Sequence, residues 1–160
     1  MAYNNMKETI EKLISLLEED NRTILAECPD EDPIFEYTKA TDKDIENFEK
    51  RFKLTLPNHL KEFYKNYNSV STNFMFTDIL GMTNIISDYD DFPLYKELLD
   101  DKVIPIADDN GDLICVDTKQ ENNQLMYFSH EEGNLSSTGA TIEGFIQNLI
   151  QRKIEHNKNK

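Results

Sequence analysis

The stretch that most constrains the fold is 103-VIPIADDNGDLICVDT-118, in which two apolar runs flank an acidic turn. Asn110 and Gly111 at its centre are residue types that tolerate the left-handed backbone of tight turns. Both runs are apolar at successive positions, so both faces of each strand should be buried. The stretch therefore predicts a β-hairpin in a sheet that is covered on both sides.

Pro105 decides between two registers for this hairpin, because proline has no N–H group to donate. A two-residue turn would place Pro105 in a hydrogen-bonded pair of residues. A three-residue loop from Asp109 to Gly111, with Gly111 left-handed in a bulge, avoids that conflict. We expect the three-residue loop, which sets Asp108 opposite Asp112.

The acids of this turn have several possible roles. A calcium-binding loop is excluded by counting, since Gly111 as the sixth residue makes Ile106 the first and Asp117 the twelfth. The first position then offers no side-chain oxygen, and the twelfth lacks the usual bidentate glutamate. Ordinary turn chemistry is the interpretation that we prefer for these acids, and a surface for a basic partner is the remaining alternative.

Apolar spacing and capping residues predict the remaining elements. A first helix over 6–17 should end in 18-EED-20, and a second opens at Thr41, whose Asp44 completes a capping box. The other predicted elements are a short strand at 34–37, a helix from Pro57 to Tyr67, a strand at 74–80 ending near Gly81, a short helix around 94–99, a strand at 124–129, a loop at 130–140 and a helix from Thr141 to Ile150.

The length of 160 residues fits one domain. We divide the chain into an N-terminal helix and acidic connecting segment (1–40), a domain (41–150) and a frayed basic tail (151–160). A mixture of amphipathic helices and strands, in this order, predicts an α+β fold with a largely antiparallel sheet covered by helices.

The net charge of −14 comes from 31 acids against 17 lysines and arginines. Such a field repels nucleic acid and attracts a basic protein. No apolar run approaches the ~20 residues that a membrane span needs, and the N-terminus lacks the pattern of a secretory signal. Cys28 and Cys115 show no CxxC spacing. We expect a cytoplasmic protein that binds neither nucleic acid nor membranes.

Catalytic motifs are missing from the sequence. It contains no GxSxG, no GxGxxG and no phosphate-binding GK[ST] loop. His130 and Glu131 begin an HExxH motif, but Asn134 occupies its last position. We expect a protein that is not an enzyme and has no cofactor and no metal. A hydrolase that uses a pair of acids stays open as a third class of function, because 31 acids offer many pairs.

Taken together, the elements from about 41 to 150 resemble the SMI1/KNR4 (SUKH) superfamily. The residues that carry this resemblance are Ile45, Phe48-Glu49, Leu56-Pro57, the helix with Leu60, Phe63 and Tyr64, Asn68, the strand 76-FTDILG-81, the segment 104-IPIADDNGD-112 continued by 114-ICVD-117, the strand 126-MYFSH-130 and the closing helix with Phe145. One position departs from the pattern, since Ser69 stands where the family usually has glycine.

The resemblance implies an α+β domain without catalytic residues. It implies one of two roles: a bacterial immunity protein that neutralises a cognate toxin, often a nuclease, or a regulatory binding module with an endogenous partner. It also implies that Gly111 and Asp112 are structural turn residues. We expect the first role, with a basic toxin domain as the partner, and keep the regulatory module as the alternative.

Acids concentrate in residues 18–32, with seven acids and one arginine, and in residues 88–112, with nine acids and two lysines. Aromatic residues are interleaved in the second segment, and an aromatic anchor inside a charged rim is typical of tight interfaces. A solvated loop with one aromatic side chain in the core would explain 88-DYDDF-92 as well. The residues that we predict to bind the partner are Asp88, Tyr89, Asp90, Asp91, Asp108, Asp109 and Asp112, with Asn110 and Gly111 as the structural turn.

Overall fold

The computed structural model describes residues 5–33, 35–74, 77–120 and 124–159. Within these residues the chain forms six helices and seven strands. In chain order they are α1 (Met6–Glu27), β1 (Phe35–Thr38), α2 (Asp42–Phe52), α3 (Asn58–Asn66), β2 (Asn68–Phe74), β3 (Thr77–Ile79), α4 (Met82–Asp88), α5 (Pro93–Asp100), β4 (Val103–Asp109), β5 (Asp112–Asp117), β6 (Gln124–Phe128), β7 (Leu135–Thr141) and α6 (Ile142–Lys158).

The described strands form one sheet in which the spatial order equals the chain order, from β1 to β7. Every neighbouring pair is antiparallel. Helices α2 and α3 lie between β1 and β2 in the chain, and α4 and α5 lie between β3 and β4. The prediction of an α+β fold with an antiparallel sheet and covering helices is confirmed.

Two apolar cores lie on opposite faces of the sheet, because successive side chains of a strand point to opposite sides. In β5, Ile114 and Val116 belong to the large core, which also holds the buried faces of α1, α2, α3 and α6. Leu113 and Cys115 belong to a smaller core with Tyr95 of α5. Burial on both faces explains why the hairpin strands are apolar at successive positions.

Local capping signals place α2 and α6 where the sequence predicts them. The Thr41 hydroxyl accepts a hydrogen bond from the Asp44 N–H at 3.1 Å, and the Asp44 carboxylate accepts one from the Thr41 N–H at 2.9 Å. At α6, the Thr141 hydroxyl accepts from the Gly144 N–H at 3.0 Å. Side-chain caps satisfy N–H groups that the first helical turn leaves unpaired.

The predicted ends of the first and last helices are both wrong. Helix α1 continues past 18-EED-20 to Glu27, and α6 continues through the segment expected to fray, as far as Lys158. The two helices support each other, since Lys153 is buried and forms an ion pair with Asp20. Beyond Leu17 the helix has no fully buried side chain, and its contacts there include this ion pair and a hydrogen bond from the Asn21 side chain to the Phe35 carbonyl at 3.4 Å. The acidic residues alone therefore do not end it.

The segment 130–140, predicted to be a loop, contains most of strand β7. Its residues pair with β6, as Ser137 does with Met126, and most of them are exposed. An edge strand with exposed Ser, Thr and Gly residues lacks the apolar alternation that reveals a strand. Two parts of the strand predictions, Ile34 and residues 75–76, lie outside the described residues.

The hairpin register differs from the expectation. The turn has two residues, Asn110 (φ 56°) and Gly111 (φ 97°), and it pairs Asp109 with Asp112. Asp108 therefore pairs with Leu113, and the expected pairing of Asp108 with Asp112 is wrong. The pairing shifts register between residues 105 and 107, beside Pro105. A bulge within the strand accommodates the missing N–H group, so the turn itself stays tight.

Candidate partner-binding surface

The register of β3 and β4 separates the predicted binding residues onto two faces of the sheet. Asp108 pairs with Asp78 of β3, so these two carboxylates stand on one face. This is the face of Leu113 and the smaller core. Asp109 pairs with Asp112 across the hairpin and lies on the opposite face. The sequence prediction treated these acids as one group, and the structure divides them.

The acids on the second face are engaged within the protein. Asp109 accepts a hydrogen bond from the Thr77 hydroxyl at 3.2 Å. Asp112 accepts from the Tyr127 hydroxyl and, at 3.0 Å, from the His130 N–H, and the His130 Nδ1 lies 2.6 Å from the same carboxylate. These contacts tie the β4–β5 turn to the end of β6. The tyrosine hydrogen bond, followed by those from the backbone and ring of His130, lowers the pKa of Asp112 to about 2.

The segment 88–92 forms a tight turn between α4 and α5. The Asp88 carbonyl accepts hydrogen bonds from the Asp91 N–H at 3.1 Å and the Phe92 N–H at 2.9 Å. Asp90 and Asp91 are exposed, and Asp88 is partly buried. The turn therefore presents its carboxylates to solvent and holds Phe92 at a fixed place beside them.

The two aromatic side chains of this turn have different environments. Tyr89 packs its ring against Phe52 with centroids 5.2 Å apart, and its hydroxyl donates to the Asp100 carboxylate at 2.8 Å. Phe92 is 52% exposed and contacts the ring of Tyr95, with centroids 5.7 Å apart. Tyr89 thus joins the turn to α2, and Phe92 is the aromatic side chain that a partner can reach.

The acids of α4, β3 and β4 influence one another electrostatically. Burial, and after it the charge of Asp108, raises the pKa of Asp78. Burial, and after it Asp91, raises the pKa of Asp88. Burial is also the main cause that raises the pKa of Tyr95, followed by the charges of Asp108 and Asp88. The segments around residues 88 and 108, which are 20 residues apart in the chain, therefore share one electrostatic environment.

A groove of about 210 Å³ runs between β2, β3 and α4. Asp78 and Asp88 line it together with Asn84 and Val70. The Asn84 side chain donates a hydrogen bond to the Val70 carbonyl at 2.8 Å, which holds α4 against β2. A positively charged side chain that enters this groove would meet two carboxylates.

Few cations balance this region. Residues 77–112 contain ten acids and two lysines. In the part of the chain that the structure describes, no ion pair joins a lysine, arginine or histidine to Asp78, Asp88, Asp90, Asp91, Asp108 or Asp109. Arg51 and Lys96 lie over the ring of Tyr89, each 5.9 Å from its centroid. The charge of these six carboxylates is therefore available to a partner.

Sequence reasoning missed two members of this surface. Asp78 lies in a three-residue strand, and only the register with β4 places it beside Asp108. Phe92 is the N-cap of α5, and aromatic side chains are mostly buried, so the sequence did not show that this one is exposed. The charge run drew attention to this segment, but its pattern did not show which aromatic side chain is exposed.

Two further features bear on function. Among the described residues, no group of three or more histidine, cysteine or acidic side chains has the arrangement to hold a metal ion. None of the described helices combines the length and the apolar character that crossing a bilayer requires.

Comparison with known proteins identifies the family. The model of the SMI1/KNR4 family (SUKH-1) matches residues 39–148, which is more than two thirds of the chain. A search of curated proteins found no significant match. Domains of this family are known as immunity-protein-like domains and are generally non-catalytic. The chain belongs to the SMI1/KNR4 (SUKH-1) family.

Proposed function

We propose that this protein is an immunity protein that binds a cognate basic toxin domain and neutralises it by occlusion. The single observation that carries the proposal is the set of carboxylates around α4 and the β4 strand that form no ion pair with the described residues, in a domain of an immunity-protein-like family. A nuclease domain is basic because it holds phosphates, and carboxylates can occupy the same basic side chains. The protein then acts as a binder and not as an enzyme.

The charge of the molecule supports fast capture of such a partner. Opposite net charges steer two proteins toward each other and raise the association rate. The net charge of −14 provides this attraction over the whole surface, and residues 77–112 contribute a net −8 to it. Because salt screens exposed charges, the association should slow as the ionic strength rises.

The proposed contact residues are those predicted from the sequence, but they have different roles in binding. Asp88, Asp90, Asp91 and Asp108 offer carboxylates without a cationic partner among the described residues, and the Asp108 carboxylate accepts a hydrogen bond from the Gly111 N–H at 2.8 Å. The other three predicted contacts form hydrogen bonds with side chains elsewhere in the protein, and they are Tyr89, Asp109 and Asp112. We propose that these three position the surface and contact the partner only at its rim.

We propose a cytoplasmic location for this activity. Cys28 is exposed and Cys115 is buried, and both are free thiols. Free cysteines agree with a reducing compartment.

The test uses the full chain as bait in lysate of its own host, at low and at moderate salt. We expect one basic protein in stoichiometric amount, with an enzymatic activity that disappears when the purified bait is added back. Charge reversal at 88–91 together with 108 should abolish both effects, whereas reversal of the exposed Asp30 and Asp32 should not. Capture of a basic protein whose activity the bait leaves unchanged would contradict neutralisation.

The same experiment separates the regulatory alternative. A regulatory module would capture an endogenous protein without toxic activity, and deletion of its gene would change growth in cells that contain no toxin. An immunity protein predicts no growth defect in such cells.

A further inference from the structure

We infer that the partner docks on one side of the molecule, the α4 surface, with Phe92 as apolar anchor and a lysine or arginine side chain in the groove between Asp78 and Asp88. The α4 surface consists of the apolar side chains Val70 and Phe92 and the carboxylates Asp78, Asp88 and Asp91. This inference rests on the proposed function and narrows it to one face and one kind of contact.

The first argument is the distribution of exposed apolar side chains. Four large hydrophobic residues are exposed in the described part of the chain, and two of them, Val70 and Phe92, belong to the α4 surface. The Val70 carbonyl is bonded to the Asn84 side chain of α4, and the Phe92 N–H is bonded to the last residue of α4. The Phe92 ring contacts Tyr95, which the charges of Asp78 and Asp88 reach. Apolar side chains grouped inside a polar rim mark protein interaction sites.

The second argument is the chemistry of the groove. Val70 and the two carboxylates of Asp78 and Asp88 line the same space of about 210 Å³. Lysine and arginine combine an aliphatic stem with a charged head, so they bury the stem on apolar surface and bring the head to a carboxylate. A neutral or acidic side chain would leave the two carboxylates without compensation.

The third argument is the electrostatic state of these carboxylates. Partial burial and neighbouring acids raise the pKa values of Asp78 and Asp88, so their charged forms are destabilised in the free protein. A cation placed between them removes that penalty. The bound partner should therefore gain from both carboxylates, and binding should weaken when acid protonates them.

The other acidic segment, residues 18–32, lacks these features. Its single large exposed hydrophobic residue is Leu25, and Asp20 is already paired with Lys153 of α6. Among its described residues, this acidic segment therefore has only one large exposed hydrophobic side chain. Leu25, Asp30 and Asp32 are exposed, so they provide matched control positions.

The probe for the test is a capped peptide of alternating arginine and leucine, titrated into the ¹⁵N-labelled full chain. We expect amide shift changes concentrated at 70–72, 78–92 and 108. The Phe92→Ala variant should raise Kd at least about fivefold, the size of effect that truncation of an anchor residue produces. The double variant Asp78→Asn with Asp88→Asn should raise Kd by a similar factor.

The control variants are Leu25→Ala and the double variant Asp30→Asn with Asp32→Asn, which should leave Kd within about twofold of wild type. The spectra report in the same samples whether each variant is folded. Shift changes centred on residues 18–32, an unchanged Kd for Phe92→Ala, or no shift changes at millimolar peptide would overturn the docking site. None of these results decides whether the protein neutralises a toxin, which the capture experiment tests separately.

Discussion

Asp78 and Asp108 face each other across strands β3 and β4, with both carboxylates on the same side of the sheet. Like charges directly opposite each other destabilise a pair of strands. We therefore expect Asp78→Asn to increase the free energy of unfolding at pH 7 by about 0.2–1 kcal/mol. Urea denaturation of both proteins measures the difference, with the exposed Asp30→Asn as a control for a general change of net charge.

The pH dependence of this effect has a defined sign. The pKa of Asp78 is raised in the folded protein, so acid protonates the folded state first and relieves its repulsion with Asp108. The advantage of Asp78→Asn should therefore shrink as the pH falls from 7 through this raised pKa. An advantage that stays constant down to low pH would show that the amide packs better and that charge is not the cause.

For the contribution of Asp112 to stability we predict the opposite pH dependence. Its folded pKa of about 2 lies below the usual value, so its hydrogen bonds with Tyr127 and His130 stabilise the fold fully above about pH 4. We expect Asp112→Asn to lower Tm at pH 7, and the difference from wild type to vanish as the pH falls from about 4 to 2. Thermal unfolding between pH 2 and 7 tests this, with the exposed Asp90→Asn as control. A difference in Tm that does not change over that range would contradict it.

Helix α1 contributes to the large core, although it precedes the residues that match the family. Leu13 is fully buried in this core, to which α3 and α6 also contribute. Leu13→Ala should lower the free energy of unfolding by about 2–5 kcal/mol, the cost of a cavity at a well-packed site. Leu25→Ala, on the exposed side of the same helix, should change it by less than about 0.5 kcal/mol. Equal effects of the two variants would show that α1 does not pack as described.

For the ion pair between Lys153 and Asp20 we predict that the effects of substituting the two residues on the free energy of unfolding are not additive. Both side chains are largely buried, with 7% and 18% exposure. Lys153→Met leaves Asp20 without its cation. It should lower the free energy of unfolding by up to about 3 kcal/mol, since a buried charge without a partner is unfavourable. Adding Asp20→Leu should recover most of that loss, because the double variant has apolar side chains at both positions and no buried charge is left without a partner. Additive losses in denaturant unfolding would contradict a direct ion pair.

Local signals predicted α2, α3 and the start of α6, and the failures have two different causes. Thr41 and Thr141 cap their helices through residues three positions away, so the sequence contains the whole signal. Past Leu17, α1 is held by Asp20, which pairs with Lys153 of α6, and a partner so distant in the chain leaves no local pattern. Strand β7 pairs with its neighbour β6, but its exposed residues lack the apolar alternation that reveals a strand.

The hairpin and the proposed binding surface show the same limit. Pro105 was correctly identified as a conflict, but the chain resolves it with a bulge beside Pro105 and keeps a two-residue turn. The acid run at 88–91 was visible in the sequence, and its nearness to Asp108 was not. Asp78 became a member of the surface only through the register of β3 with β4.

The packing of α1 on α6 also has a consequence for synthesis on the ribosome. The ion pair between them joins residues more than a hundred positions apart, and Ile10 and Leu13 lie in the same core as Ile146 and Leu149. Contacts of such sequence separation close long loops and therefore slow folding. The apolar face of α1 therefore leaves the ribosome long before its partner helix is made, and the nascent chain cannot complete its core until translation has passed α6.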